Sequence, residues 1–140
     1  MPQIDYDDSP YPVRNDLTAS HRRAWDKLSN AGTWLTGEER VKVMAETRHA
    51  RESVTCANIK EALSPFSATD PKDSATDLPE NWITMIQLIV ADPGRLTHGW
   101  YTKTLESGIP DTHFVEIVSV IAHTTAIDTF AKGIGVPIRA

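Results

Sequence analysis

The chain has 140 residues with 14 Lys and Arg against 19 Asp and Glu, a formal net charge of −5, on a composition 40% hydrophobic and 24% charged, which is the profile of one soluble globular domain. The acidic balance, with no basic run longer than Arg22-Arg23, argues against a nucleic-acid binder, whose phosphate contacts need clustered Lys and Arg. A core of this size folds without a structural metal, and Cys56, as the single cysteine, excludes an internal disulfide and suits a reducing cytoplasm.

Residues 1–16, with Pro2, Pro10, Pro12 and four aspartates, read as an extended arm, loose by itself and available to a partner. The N-terminus is acidic and shows no secretory signal pattern. Residues 17–140 read as one helical domain. Helical spacing starts at Thr18, a cap ahead of His21, Trp25 and Leu28, and ends at Ala31-Gly32. Thr36-Gly-Glu-Glu39 is a capping box, and with no Pro or Gly before Ser64-Pro65 it predicts one unbroken helix to Leu63. Residues 64–79 form a long polar connection, of a length that is often functional or mobile.

Asp77-x-x-Glu80 predicts a second capping box, opening a helix that carries Trp82, Met85, Ile86, Ile89 and Val90. Asp92-Pro93 restarts a helix through Leu96, Trp100 and Leu105 to Gly108. The last helix, from about Asp111 to Lys132, is apolar on most of its circumference, which predicts a central position, and ends at the Gly133 to Pro137 turn. The longest apolar segment, Ile83 to Ala91, contains Thr84 and Gln87, so no membrane crossing is expected. The prediction is an all-α bundle of about five helices with no sheet.

Glu46, His49, Ser53, Cys56 and Lys60 are spaced three, four, three and four, which places them on one face of the predicted helix over about four turns. Thiol chemistry asks for such a set: a thiolate nucleophile at Cys56, Lys60 to lower its pKa, Glu46 and His49 to move protons, and Ser53 to donate a hydrogen bond to the sulfur. The plainer alternative is a solvated polar face with Cys56 as a small half-buried hydrophobe. Spacing leaves both open.

The segment Thr36-Gly-Glu-Glu-Arg-Val, continuing to Glu46-Thr-Arg-His and Ser53-Val-Thr-Cys56-Ala-Asn-Ile-Lys60, resembles the alkylhydroperoxidase D-like (carboxymuconolactone decarboxylase-like) superfamily. Asp92-Pro-Gly-Arg-Leu-Thr-His-Gly-Trp100 and Val115 to Phe130 look like an uncharacterised peroxidase-related branch of it. The resemblance implies an all-helical fold, a homodimer or higher oligomer, and peroxide reduction through a C-x-x-C pair. Cys56 matches the second cysteine, Ser53 stands at the first, Lys60 occupies the histidine position, and Glu46 resembles the upstream glutamate at a shorter spacing. A single cysteine would need an external thiol reductant or Cys56 of a second subunit to resolve its sulfenic acid. Two other functions fit the same fold: a non-catalytic binding or scaffolding member, and a decarboxylase-type enzyme without a redox cysteine.

Elsewhere, Glu116 with His113 and His123 on the last helix suggests a metal or acid/base group only through a reversed spacing, and Glu116 is instead expected to pair with an Arg or His of another helix. His98, Trp100 and Tyr101 could line an aromatic pocket, although Trp100, like Trp25 and Trp34, suits a core position. Phosphate-loop, dinucleotide, hydrolase-elbow and zincin motifs are absent from the chain. Neither cofactor nor metal is expected.

Overall fold

The computed structural model describes residues 3–67 and 73–139, which are all-helical with no strand. Six α-helices occur in chain order: α1 Asn15–Leu28, α2 Gly37–Glu52, α3 Val54–Glu61, α4 Glu80–Ala91, α5 His98–Glu106 and α6 Asp111–Gly133, with short 3₁₀ turns at Pro65–Ser67 and Pro93–Arg95. The expected count of five falls short because the predicted helix from Thr36 to Leu63 is two helices.

The break falls at Ser53, whose backbone is extended (φ −84°, ψ 153°). Its hydroxyl accepts the Cys56 amide at 3.1 Å and so caps α3. Serine competes for backbone partners in this way, and the β-branched Val54 and Thr55 that follow add no preference for continuing α2. The far end of α3 is closed by a residue distant in sequence. Arg95 donates to the carbonyls of Ile59, Lys60, Ala62 and Leu63, supplying donors to a helix terminus that has none of its own.

Three further boundaries differ from the sequence reading. Helix α1 begins at Asn15 rather than at Thr18 and ends at Leu28. Helix α4 has Pro79 at its cap without a side-chain bond, because Asp77, the expected cap, pairs instead with Lys42 at 2.7 Å. Pro93 opens only a 3₁₀ turn, and α5 starts separately under Thr97, whose hydroxyl accepts the Trp100 amide. The Thr36 capping box is formed as its residues predict.

Helix α2 packs on both α4 and α6, α1 lies against α2 and α6, and α3 rests on α4. Trp25, Val43, Met85, Ile86, Ile117 and Val120 fill the centre. Helix α6 has the length and apolarity of a membrane crossing, which the sequence reading did not flag, yet half of its most apolar window is buried inside the bundle. It ends in paired turn bonds, Val136 N–H to Ala131 O and Gly135 N–H to Lys132 O, with Gly135 at φ 81°, where a side chain would strain the backbone.

The arm is not loose. Ile4 and Tyr6 are buried in the main core, Arg22 donates to the Ile4 carbonyl, and the Tyr6 hydroxyl lies 2.6 Å from His21 Nδ1. Arg139 grips both Asp8 oxygens at 2.9 Å and the Asp5 carbonyl at 3.0 Å, which ties the two ends of the chain together.

Candidate functional site

The five residues of the predicted stripe come from two helices and the cap between them, and divide into three environments. Glu46, in the middle of α2, is buried, and its Oε1 accepts from the amides of Ala75 and Thr76 at 2.6 and 2.7 Å and from the Thr76 hydroxyl at 2.9 Å. Gln87 of α4 donates to the Asp73 carbonyl. These two side chains hold residues 73–76 of the long connection against the bundle; residues 68–72, also expected to be functional or mobile, lie outside the described residues. One oxygen of each, Glu46 Oε2 and Gln87 Oε1, is buried with no partner among the described residues.

His49 Nε2 sits 2.8 Å from Asp73 Oδ1. The imidazole beside Asp73 holds that carboxyl below the usual carboxylate range, with further help from Ser53 and the Thr55 amide. The Ser53 hydroxyl also lies within bonding distance of the Ala50 carbonyl, while it accepts the Cys56 amide. Its bonds therefore go to the backbone, whereas the spacing predicts a donation to the sulfur. Neither Glu46 nor His49 has a hydrogen bond to Cys56 among the described residues.

Cys56 is 3% exposed and packs with Ile59, Leu88 and Ala91. Burial pushes its thiol pKa up; Lys60 and Arg51 pull it down by their charge, and burial wins. The expected net lowering by Lys60 is thereby corrected: Lys60 is exposed, and the low-dielectric surroundings of the sulfur penalise the thiolate more than a screened surface charge favours it.

A groove of about 670 Å³ lies between α4 and α5, with Phe66 also on its lining. The helices run antiparallel there, since Asn81 at the start of α4 bonds Ser107 at the end of α5, while Leu88 and Trp100 meet at the other end. The groove is therefore graded. Glu80, Asn81, Lys103 and Ser107 line its polar end, and Met85, Leu88 and Trp100 its more apolar end, where the Thr97 hydroxyl is taken up by the Trp100 amide. Leu88 and Trp100 also form the layer that separates the groove from Cys56. Trp100 thus lines the groove and also packs against the core, so both of its readings hold, whereas His98 and Tyr101 do not line this groove.

Glu116 is buried and accepts from the Trp34 and Leu35 amides and from Arg40, the expected arginine of another helix. Burial raises the Glu116 pKa, but these donors outweigh it and leave the carboxyl below its ordinary value. His123 is exposed and its ring bonds the Ser119 carbonyl, so it does not join Glu116. No group of three or more His, Cys, Asp or Glu poised to hold a metal occurs among the described residues.

Apart from Trp100, sequence reasoning missed the groove, because its walls come from helices that spacing shows to be amphipathic but cannot pair. It also missed Asp128, fully buried on α6 and held by Arg48 at 2.9 and 3.1 Å and by Arg51 at 3.0 Å. The signal available was an aspartate inside an apolar helix, a position that demands a partner. Compared with known proteins, the chain matches no family model, no curated protein and no solved structure.

Proposed function

We propose that the chain is a binding protein for an elongated amphipathic small molecule, seated in the α4–α5 groove. The graded lining supports this reading: an apolar tail suits Met85, Leu88 and Trp100, and a polar head suits Lys103, Asn81 and Ser107. Lys103 has no ion-pair partner among the described residues, so a ligand carboxylate would not have to displace one. Decanoate and an anilinonaphthalene dye are suitable probes, read by displacement of the dye. Gly99 is a suitable position for a block, because it lines the groove and a Cβ added there meets only the Thr97 hydroxyl, at 3.8 Å. The Gly99→Phe protein should keep its helical circular dichroism and lose both probes; unchanged binding would sink the proposal.

A second reading is the peroxidase-related thiol protein that the family resemblance implies, working in a reducing cytoplasm as a homo-oligomer. It is favoured by the position of Cys56 in the first turn of α3, behind the groove wall and in the positive field of Arg51 and Lys60. The thiolate would attack a peroxide oxygen, releasing the alcohol and leaving a sulfenic acid that an external thiol reductant returns to the thiol. Ser53 would anchor the α3 start and Lys60 would act by its charge, while Glu46 and His49, bonded to residues 73–76, would support the chain around the site. Consumption of a hydroperoxide with dithiothreitol, abolished in Cys56→Ser, supports it; equal consumption by the variant removes it.

A further inference from the structure

We propose that the cleft between the C-terminal turns of α2 and α6 is a second binding site, specific for a small oxyanion of the size of one phosphate or one short dicarboxylate. The cleft holds about 150 Å³ and is lined by Arg48, His49, Arg51, Glu52, Asp128, Lys132 and Ile138. Its volume admits one anionic group and excludes a nucleotide.

Three permanent positive charges face two carboxylates, on a protein whose overall charge is −5. One of the two carboxylates, Asp128, is fully buried and already engaged by both guanidinium groups. The other, Glu52, is exposed and forms no ion pair among the described residues. Arg48 uses Nε and one terminal nitrogen on Asp128 and the Arg139 carbonyl. Arg51 uses its two terminal nitrogens on Asp128 and Thr125. Donors remain on both groups, and each is partly exposed. Asp128 thus fixes the two arginines in place, so little side-chain entropy is lost when an anion arrives. Lys132, exposed and without an ion-pair partner among the described residues, completes the rim. The site is separate from the α4–α5 groove, which shares none of its residues.

The test is thermal unfolding of the full chain with phosphate, malonate or chloride at matched ionic strength, because screening alone acts equally in all three. A saturable rise with phosphate or malonate and none with chloride is the expected result, and the better of the two identifies the oxyanion. Lys132→Glu should weaken the midpoint by up to about fivefold, the upper end for one exposed charge pair, and Glu52→Gln should strengthen it. Both positions are exposed, so the folded state survives either change. Equal shifts with all three anions, or the same saturable shift in Lys132→Glu, would overturn the proposal.

Discussion

At the scale of single residues, chemistry here follows from what surrounds a side chain more than from its neighbours in sequence. Cys56 and Lys60 are one turn apart, as a reactive thiol asks, yet the sulfur lies among Ile59, Leu88 and Ala91 and the ammonium lies in water. Alkylation by iodoacetamide should therefore be slow and should titrate above the free-cysteine value of about 8.5. A midpoint near 7 would show that Arg51 and Lys60 prevail over burial. Glu46 makes the same point with oxygen: its spacing from Cys56 suggests a proton carrier, and its bonds go to the backbone of residues 75 and 76. Its fixed position explains why the chain can run polar through that segment without losing contact with the bundle.

At the scale of elements, helix ends rather than helix interiors carry the structural surprises. Ser53 and Arg95 delimit α3, a helix of eight residues that would be marginal alone. Arg95→Met removes four carbonyl contacts and the ion pair to Asp92 at once and should destabilise the protein by about 1.5–3 kcal/mol, the range for hydrogen bonds to a charged group. Urea unfolding measures it, and local loosening of α3 should also raise the Cys56 alkylation rate. A variant as stable and as unreactive as the parent would mean that α3 is held by its apolar face alone. The capping boxes divide instructively. Thr36 and Glu39 find each other within one turn, whereas Asp77 is drawn to Lys42, whose ammonium Glu38 also meets.

At the scale of the whole molecule, the two chain ends are locked onto the bundle through Tyr6, His21 and Arg139. Burial lowers the His21 pKa below its ordinary value, and Nδ1 accepts the Tyr6 hydroxyl proton only when unprotonated. Because the folded pKa lies below the unfolded value of about 6.5, the unfolded chain takes up the proton first as pH falls. The His21 contribution to stability is therefore complete above about 6.5 and is lost as pH drops toward the folded pKa. Denaturation midpoints followed across this window should fall on acidification in the native chain and less in His21→Phe. The Glu116 carboxyl, held below its usual pKa, adds a loss at lower pH, beginning below the unfolded glutamate value of about 4.3. Equal acid sensitivity of the two proteins between pH 6.5 and 5 would show that the arm is not coupled to His21.

The helical class and most of the helix positions were legible in the sequence, because those properties are local. Long segments without Gly or Pro, the Thr36 box and the glycine turn after α6 each act within a few residues. Even the pairing of Glu116 with an arginine followed from a local fact, a carboxylate on an apolar helix face. The break at Ser53, the docking of the arm, the clasp of residues 73–76 by Glu46 and Gln87, and the α4–α5 groove were decided only in the tertiary structure. Each of these joins groups far apart in the chain, so its energy depends on which surfaces the packed helices bring together, and residue spacing within a single helix carries no record of that choice.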